Sequence, residues 1–173
     1  MVIEEFKRLS ELYNGELYIN DETLTTYNGG KDFFYTLFLR VHYKGRAIDI
    51  KNTTGAPVGS VTCNFDKQKD DLNFSMHTRD VFISLFFKGS RFKFKNSSPN
   101  INRFFRNSNS FTQLKEIAKT TAFEPSIIGE HQNNNYQLKF LYSLKFDNWS
   151  QVIEPILNFY KEFIDEFIPD SNF

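Results

Sequence analysis

Cysteine is almost missing from this chain, whose 173 residues include only Cys63. A lone cysteine can neither close a disulfide within the chain nor supply a two-cysteine metal knuckle. The opening residues, MVIEEFKRL, lack the apolar run of a secretory signal, so we expect none. These features together predict a reducing, cytoplasmic location.

Net charge and long apolar runs are missing as well. The chain has 21 basic and 21 acidic residues, so no global charge attracts nucleic acid or an anionic membrane. No stretch approaches the roughly 20 consecutive apolar residues of a membrane-spanning helix, and we expect no membrane span.

The common motifs of enzyme chemistry are also missing. The sequence contains no GxxxxGK[ST] phosphate loop, no GxGxxG turn after a strand, no GxSxG elbow and no HExxH zinc motif. It therefore favours a protein that is not an enzyme, and it indicates no cofactor.

Aromatic residues are abundant, with 21 Phe in the chain. Such a surplus can form a binding surface or fill a core. Because large aromatic side chains are usually buried, we expect an aromatic-rich core.

Alternating apolar and polar residues predict strands through most of the chain. In residues 33–43 the odd positions are apolar, which predicts one buried face. A tight turn at 44–45 would place Arg40 opposite Asp49, a favourable cross-strand pair. Residues 61–65 and 72–76 alternate in the same way, and we predict that they pair as a hairpin.

Further strands are predicted at 91–95 and, as a final pair, at 123–131 and 136–146. Helical spacing indicates an N-terminal helix over 2–13 and two short helices within 99–120, the second opening at Ser110. Residues 79–88 fit either a short helix or a strand, and we favour the helix.

A long amphipathic helix is predicted at the C-terminal end, where apolar residues from Trp149 to Phe167 recur at helical spacing. Pro155 should either kink this helix or mark its first turn. The predicted fold is a single α+β domain over residues 1–173, an antiparallel meander sheet of about six to eight strands. The C-terminal helix should pack on this sheet, so Trp149→Ala should cost several kcal/mol.

The alternation of side chains between the two faces of a strand decides whether Cys63 can act as a nucleophile. A cysteine nucleophile needs a base within hydrogen-bond reach, for which His42 and His77 are the candidates. Because alternate residues of a strand point to opposite faces, Cys63 should point toward the core and both histidines toward the polar face. We therefore predict an inert buried thiol.

A metal site is conceivable on the polar sheet face. If their strands are neighbours, His42, Asp49 and His77 would form a two-histidine, one-carboxylate set of the kind that binds iron. The alternative, which we favour, is that the two histidines are simply exposed to solvent.

The largest local charge asymmetry lies between Asp80 and Glu116, where seven basic residues occur without an acid. Its densest part is residues 88–106, with Lys88, Arg91, Lys93, Lys95, Arg103 and Arg106. Such a segment can bind nucleic acid. If 91–95 is a strand, however, Phe92 and Phe94 point to the face opposite the cations, which disfavours base stacking. We favour a segment that faces solvent or pairs with the acidic C-terminal helix.

From these features we predict a binding protein that acts through a protein partner, as an inhibitor, immunity factor or accessory subunit does. The alternatives are nucleic-acid binding through residues 88–106 and a metal-dependent hydrolase using His42, Asp49 and His77. The sequence specifies no oligomeric state.

Overall fold

Four helices and eight strands make up the described part of the chain, which in this computed structural model is residues 2–25, 31–66, 72–79, 91–132, 134–144 and 149–168. The helices are α1 (Val2–Leu12), α2 (Pro99–Asn107), α3 (Asn109–Thr120) and α4 (Ile153–Phe167), and a 3-10 helix, Trp149–Val152, precedes α4. The strands are β1 (Glu16–Thr25), β2 (Lys31–Tyr43), β3 (Arg46–Thr53), β4 (Val58–Asp66), β5 (Phe74–Thr78), β6 (Phe92–Lys95), β7 (Ser126–Gln132) and β8 (Asn135–Ser143).

All eight strands form one sheet in the order β1-β2-β3-β4-β8-β7-β5-β6, and every neighbouring pair is antiparallel. Helices lie at the N-terminal end, in the middle and at the C-terminal end of the chain. The predicted α+β class, strand number and helix placement are confirmed. None of the helices in the described ranges has the length and apolar character needed to cross a membrane.

The predicted turn between β2 and β3 is confirmed. Lys44 and Gly45 have φ angles of 46° and 71°, as a two-residue turn of the primed type requires. The resulting register places Arg40 opposite Asp49. The guanidinium of Arg40 donates to both carboxylate oxygens of Asp49, at 2.7 and 3.0 Å.

The predicted hairpin between residues 61–65 and 72–76 is wrong. These segments lie in β4 and β5, but β4 pairs with β3 and β8, and β5 pairs with β6 and β7. The β7–β8 hairpin therefore lies between them. The two segments share the same alternation because they belong to the same sheet and bury the same face, and alternation does not identify a strand's neighbour.

One face of the sheet is buried under the helices, and α4 crosses its middle. The hydroxyl of Tyr160 lies 2.7 Å from the carbonyl oxygen of Val61 on β4 and 3.0 Å from that of Leu138 on β8. The predicted packing of the C-terminal helix on the sheet is thus confirmed. The buried hydrophobic residues of the sheet are Leu37, Leu39, Val41, Ile48, Ile50, Val61, Cys63, Phe65, Phe74, Met76, Ile127, Tyr136, Leu138, Phe140 and Tyr142.

The opposite face of the sheet, called the open face below, carries side chains that are half-buried or exposed. No helix of the described part of the chain covers it. Its central members are Arg40, Lys51, Asp49, Ser60, Thr62, Lys139, Leu141, Ser126, Ile128, Ser75, His77, Lys93 and Lys95.

Phenylalanine rings join the helices to one another in the core, which is rich in aromatic residues as the composition predicts. The rings of Phe104 on α2 and Phe163 on α4 meet edge to face with centroids 5.5 Å apart. Phe105 and Phe111 meet in the same way at 4.7 Å. Such contacts add to the free energy gained from burial.

The two central helices are divided by a shared cap. Ser108 ends α2, and its side chain accepts a hydrogen bond from Phe111 N–H at the start of α3. The second helix thus begins at Asn109, one residue before the predicted Ser110. Glu162 of α4 accepts from the hydroxyls of Ser108 and Ser110, at 2.5 and 2.7 Å, which ties the cap to α4.

Two further predictions concern the ends of helices, and a third concerns the segment 79–88. Pro155 is the third residue of α4, so it marks the first turn rather than a kink. The N-terminal helix ends at Leu12, where Asn14 adopts a φ of 48° and leads into β1. The segment 79–88, apart from Arg79, lies outside the described residues.

The first testable prediction concerns α4. Phe163 is fully buried and its ring contacts aromatic residues of the sheet and of α2. Phe163→Ala should lower the free energy of unfolding by about 3–5 kcal/mol, measured by denaturant titration, because it leaves a cavity. Glu166→Ala, an exposed change on the same helix, should stay within about 0.5 kcal/mol. Equal effects of the two changes would contradict this packing.

Candidate interaction surfaces

The structure does not bring the predicted metal ligands together. His42 lies on β2 and His77 on β5, and β3, β4, β8 and β7 separate them. Five strand spacings amount to about 24 Å, far beyond the reach of a shared ion. Asp49 is paired with Arg40. Across the described ranges, no three His, Cys, Asp or Glu side chains form a group that could hold a metal.

The single cysteine lies on the buried face, as parity predicts. Cys63 is 1 % exposed, and burial raises the pKa of its thiol to about 12. The thiolate that a nucleophile requires is therefore disfavoured.

The basic segment 88–106 is spread over several environments. Lys88 lies outside the described residues. Arg91 lies just before β6, is largely buried, and donates to the carbonyl oxygen of Ala118 near the end of α3, with Glu124 3.6 Å away. It therefore does not join the cations of the open face. Its charge interacts favourably with the C-terminal end of α3.

Only one of the other cations of this segment pairs with the acidic helix α4. Arg103 lies 3.6 Å from Glu166, as the pairing hypothesis predicts. Lys93 and Lys95 are exposed on the open face, and Arg106 is exposed on α2. In the described structure none of these three has an acidic partner.

The remaining acids of α4 have partners elsewhere. Asp165 accepts from Lys44 at 2.8 Å and from the Tyr43 hydroxyl at 3.0 Å. The Lys44 ammonium, with help from the Tyr43 hydroxyl, holds the pKa of Asp165 below its usual value. Glu162 caps α3, as described above. The basic strand β6 is consequently not neutralised by α4.

An aromatic groove, called the β6 groove below, opens beside β6 on its helix side. It has a volume of about 400 Å³. Phe92 and Phe94, as expected, point away from Lys93 and Lys95, but they are only half-buried. The groove is lined by Phe92, Phe94, Phe105 and Phe111, with Asn102, Arg106 and Lys115 around them.

On β6 itself, the aromatic rings and the lysines lie on opposite faces. In the β6 groove, however, cations from α2 and α3 lie near the rings. The ammonium of Lys115 lies 5.4 Å from the centre of the Phe111 ring, within cation–π range. Arg106 comes from α2. Sequence reasoning singled out Arg106 but missed Lys115, because only the packing of α2 and α3 brings both to β6.

The other end of the sheet carries most of the exposed large hydrophobic residues of the described chain. Four large hydrophobic residues of the described chain are exposed: Leu12 at 56 %, Tyr18 at 57 %, Ile19 at 41 % and Val58 at 46 %. Three of them lie on β1 or at the end of α1. We call β1 with Leu12 the β1 edge.

The β1 edge is long and its open-face side chains are organised. β1 has ten residues and, within the described structure, pairs only with β2. The Tyr18 and Phe38 rings lie 6.0 Å apart, and Arg40 lies 5.5 Å from the Phe38 ring. The Tyr18 hydroxyl donates to Glu16 at 3.0 Å. Sequence reasoning missed this surface because the alternation in β1 is weak; three acids without a base in ELYINDETLT were the available signal.

The second testable prediction concerns the thiol. Cys63 should not react with Ellman's reagent in the native protein at pH 8, because it is buried and protonated. In guanidinium it should react fully. Rapid stoichiometric reaction of the native protein would show that the thiol is accessible and reopen its role as a nucleophile.

Known proteins give no independent assignment of these surfaces. Comparison of the chain with protein-family models, with curated proteins and with solved structures finds no match. The functional inference therefore rests on the β1 edge and the β6 groove.

Proposed function

We propose that this protein is a non-enzymatic, cytoplasmic binding protein that acts through a protein partner, as an inhibitor, immunity factor or accessory subunit does. The partner binds at the β1 edge. The observation that carries this proposal is the concentration of exposed large hydrophobic residues there, three of the four in the described chain. Exposed apolar surface of this kind marks interaction sites in soluble proteins. The cytoplasmic location rests on the single cysteine.

Backbone geometry supports strand addition as the mode of binding. Thr54 N–H donates to Tyr35 O at 2.8 Å, which continues the β2–β3 register. Hydrogen-bonded pairs alternate in antiparallel sheets, so the even residues of β2 bond to β1. On β1, the N–H and C=O groups of Leu17, Ile19 and Asp21 then point to the outer edge. An extended segment of the partner can bond to these groups.

Charge indicates the chemistry of that segment. β1 carries Glu16, Asp21 and Glu22 and no basic residue. Opposite charges across neighbouring strands are favourable, and like charges are not. The partner strand should therefore combine basic side chains with apolar ones, the latter covering Tyr18 and Ile19.

The third testable prediction uses a library of random peptides displayed on phage and selected on the immobilised protein. Selection should enrich peptides that alternate basic and apolar residues. Ile19→Asn should weaken their binding at least about tenfold, because it removes apolar contact at the edge. Val58→Asn is the matched control, since it changes an equally exposed aliphatic residue outside the β1 edge. Its effect should be less than about twofold.

Two outcomes would contradict the proposal. One is a selection that enriches no peptide above background. The other is a set of enriched peptides whose binding Ile19→Asn and Val58→Asn affect equally.

A second candidate function, nucleic-acid binding, is favoured by the surroundings of β6. In the described structure Lys93, Lys95 and Arg106 lack acidic partners. The half-buried rings of Phe92 and Phe94 in the β6 groove lie near Arg106 and Lys115. Aromatic rings and cations on one surface are the elements of single-strand binding sites.

The fourth testable prediction separates this candidate from the first. If the protein binds single strands, it should bind fluorescent oligothymidine with an affinity that falls as salt rises. The slope should correspond to about two released counterions, because phosphate contacts from Lys93, Lys95 and Arg106 would each release about 0.7. The double change Lys93→Glu and Lys95→Glu should abolish binding, and Lys7→Glu on α1 should not. Absence of binding at low salt would remove nucleic acid as a ligand.

A further inference from the structure

We propose that a second copy of this chain is a partner of the β1 edge: β1 of one copy pairs with β6 of the next, so that the sheet continues from copy to copy. This inference rests on the proposed function of the β1 edge as a strand-addition site. It adds the identity of the occupant and assigns the β6 groove to the same contact.

The two ends of the sheet carry opposite charges. β1 has three acidic residues and no base, and β6, with the sequence FKFK, has two bases and no acid. Arg106 and Lys115 extend the positive charge along the β6 groove. Pairing β1 with β1 would bring acids together, and pairing β6 with β6 would bring lysines together. Charge therefore favours contact between unlike ends.

Strand direction also fits contact between unlike ends. The sheet has eight strands and each runs antiparallel to its neighbours, so β1 and β6 run in opposite directions. A second copy that continues the sheet with the same strand order and the same helix-covered face consequently places its β1 antiparallel to β6. The ladder then continues without a break in pattern, and the helices of both copies cover the same face of the joint sheet.

The backbone groups at the two ends also match. Arg79 N–H donates to Arg91 O at 2.8 Å, which continues the β5–β6 register. Bonded pairs alternate, so the N–H and C=O of Phe94 point away from β5. On β1 the outward groups include those of Leu17 and Ile19. Phe94 and Leu17 both direct their side chains to the helix side, as a hydrogen-bonded antiparallel pair requires.

Side chains complement one another on both faces of the proposed contact. On the helix side, Leu17 lies opposite Phe94 and Ile19 opposite Phe92, and the two residues of β1 cover the β6 groove, which buries apolar surface of both ends. On the open face, the same placement sets Glu16 opposite Lys95 and diagonal to Lys93. One relative placement of the strands thus joins apolar with apolar and acid with base.

The contact is heterologous, because different surfaces of the two copies meet. Because the two surfaces differ, each of them can be blocked in a separate variant. Ile19→Lys places a positive charge against the cationic groove and blocks the β1 end. The double change Lys93→Glu and Lys95→Glu places acids against the acids of β1 and blocks the β6 end. Each variant retains one intact end.

The fifth testable prediction uses sedimentation velocity on the full chain. The average mass of the wild-type species should increase as the protein concentration rises. It should return to that of the monomer at high salt, because the contact depends on charge. Each variant alone should remain a monomer. Their equimolar mixture should form dimers and no larger species, with an affinity at least about tenfold above the self-association of either variant. Circular dichroism and thermal unfolding check that both variants are folded.

Amide hydrogen exchange gives a second readout in the same mixture. Exchange at Phe94 of the Ile19→Lys copy, whose β6 end is intact, should slow on dimerisation, because its outward N–H becomes bonded. Exchange at Lys93, whose N–H already faces β5, should change little.

Three results would overturn the inference. The first is a wild type that stays monomeric at every concentration. The second is self-association that Ile19→Lys abolishes and the lysine changes leave intact, which indicates a symmetric β1–β1 contact. The third is a mixture that remains monomeric. None of these removes the proposed function, because the peptide selection tests the β1 edge independently of any second copy.

Discussion

One-sided burial is the constraint on which the rest of this structure depends. The sheet buries one face against a single layer of helices, and α4 secures that layer through Tyr160 and Phe163. In the described part of the chain, no helix covers the other face of the sheet and no further strand pairs with either of its ends. Each feature considered for function, including the basic strand, the aromatic groove and the exposed β1 residues, lies where this layer ends.

Local periodicity accounts for what could be predicted from the sequence. The Lys44-Gly45 turn requires positive φ at two successive residues, and the alternation on either side of it determines the register of Arg40 and Asp49. The same alternation places Cys63 in the core and Lys93 on the open face. These properties depend on neighbours within a few residues, so a single sequence contains them.

Strand order and the candidate surfaces depend on contacts distant in the chain, which periodicity does not encode. The β7–β8 hairpin enters between β4 and β5 even though both carry the alternation expected of direct partners. Lys115 reaches the β6 groove only through the packing of α3. Ile19 is exposed because β1 ends the sheet, and a strand's position at an end or in the middle is a property of the whole fold.

The number of strands has a geometric consequence for any assembly of this sheet. Neighbouring strands rotate by about 20–25°, so eight successive steps accumulate about 160–200°. A molecule added at one end would therefore lie almost half a turn from its predecessor. A series of them would wind as a ribbon with a pitch of about two molecules, its helical layers facing alternate sides of the axis.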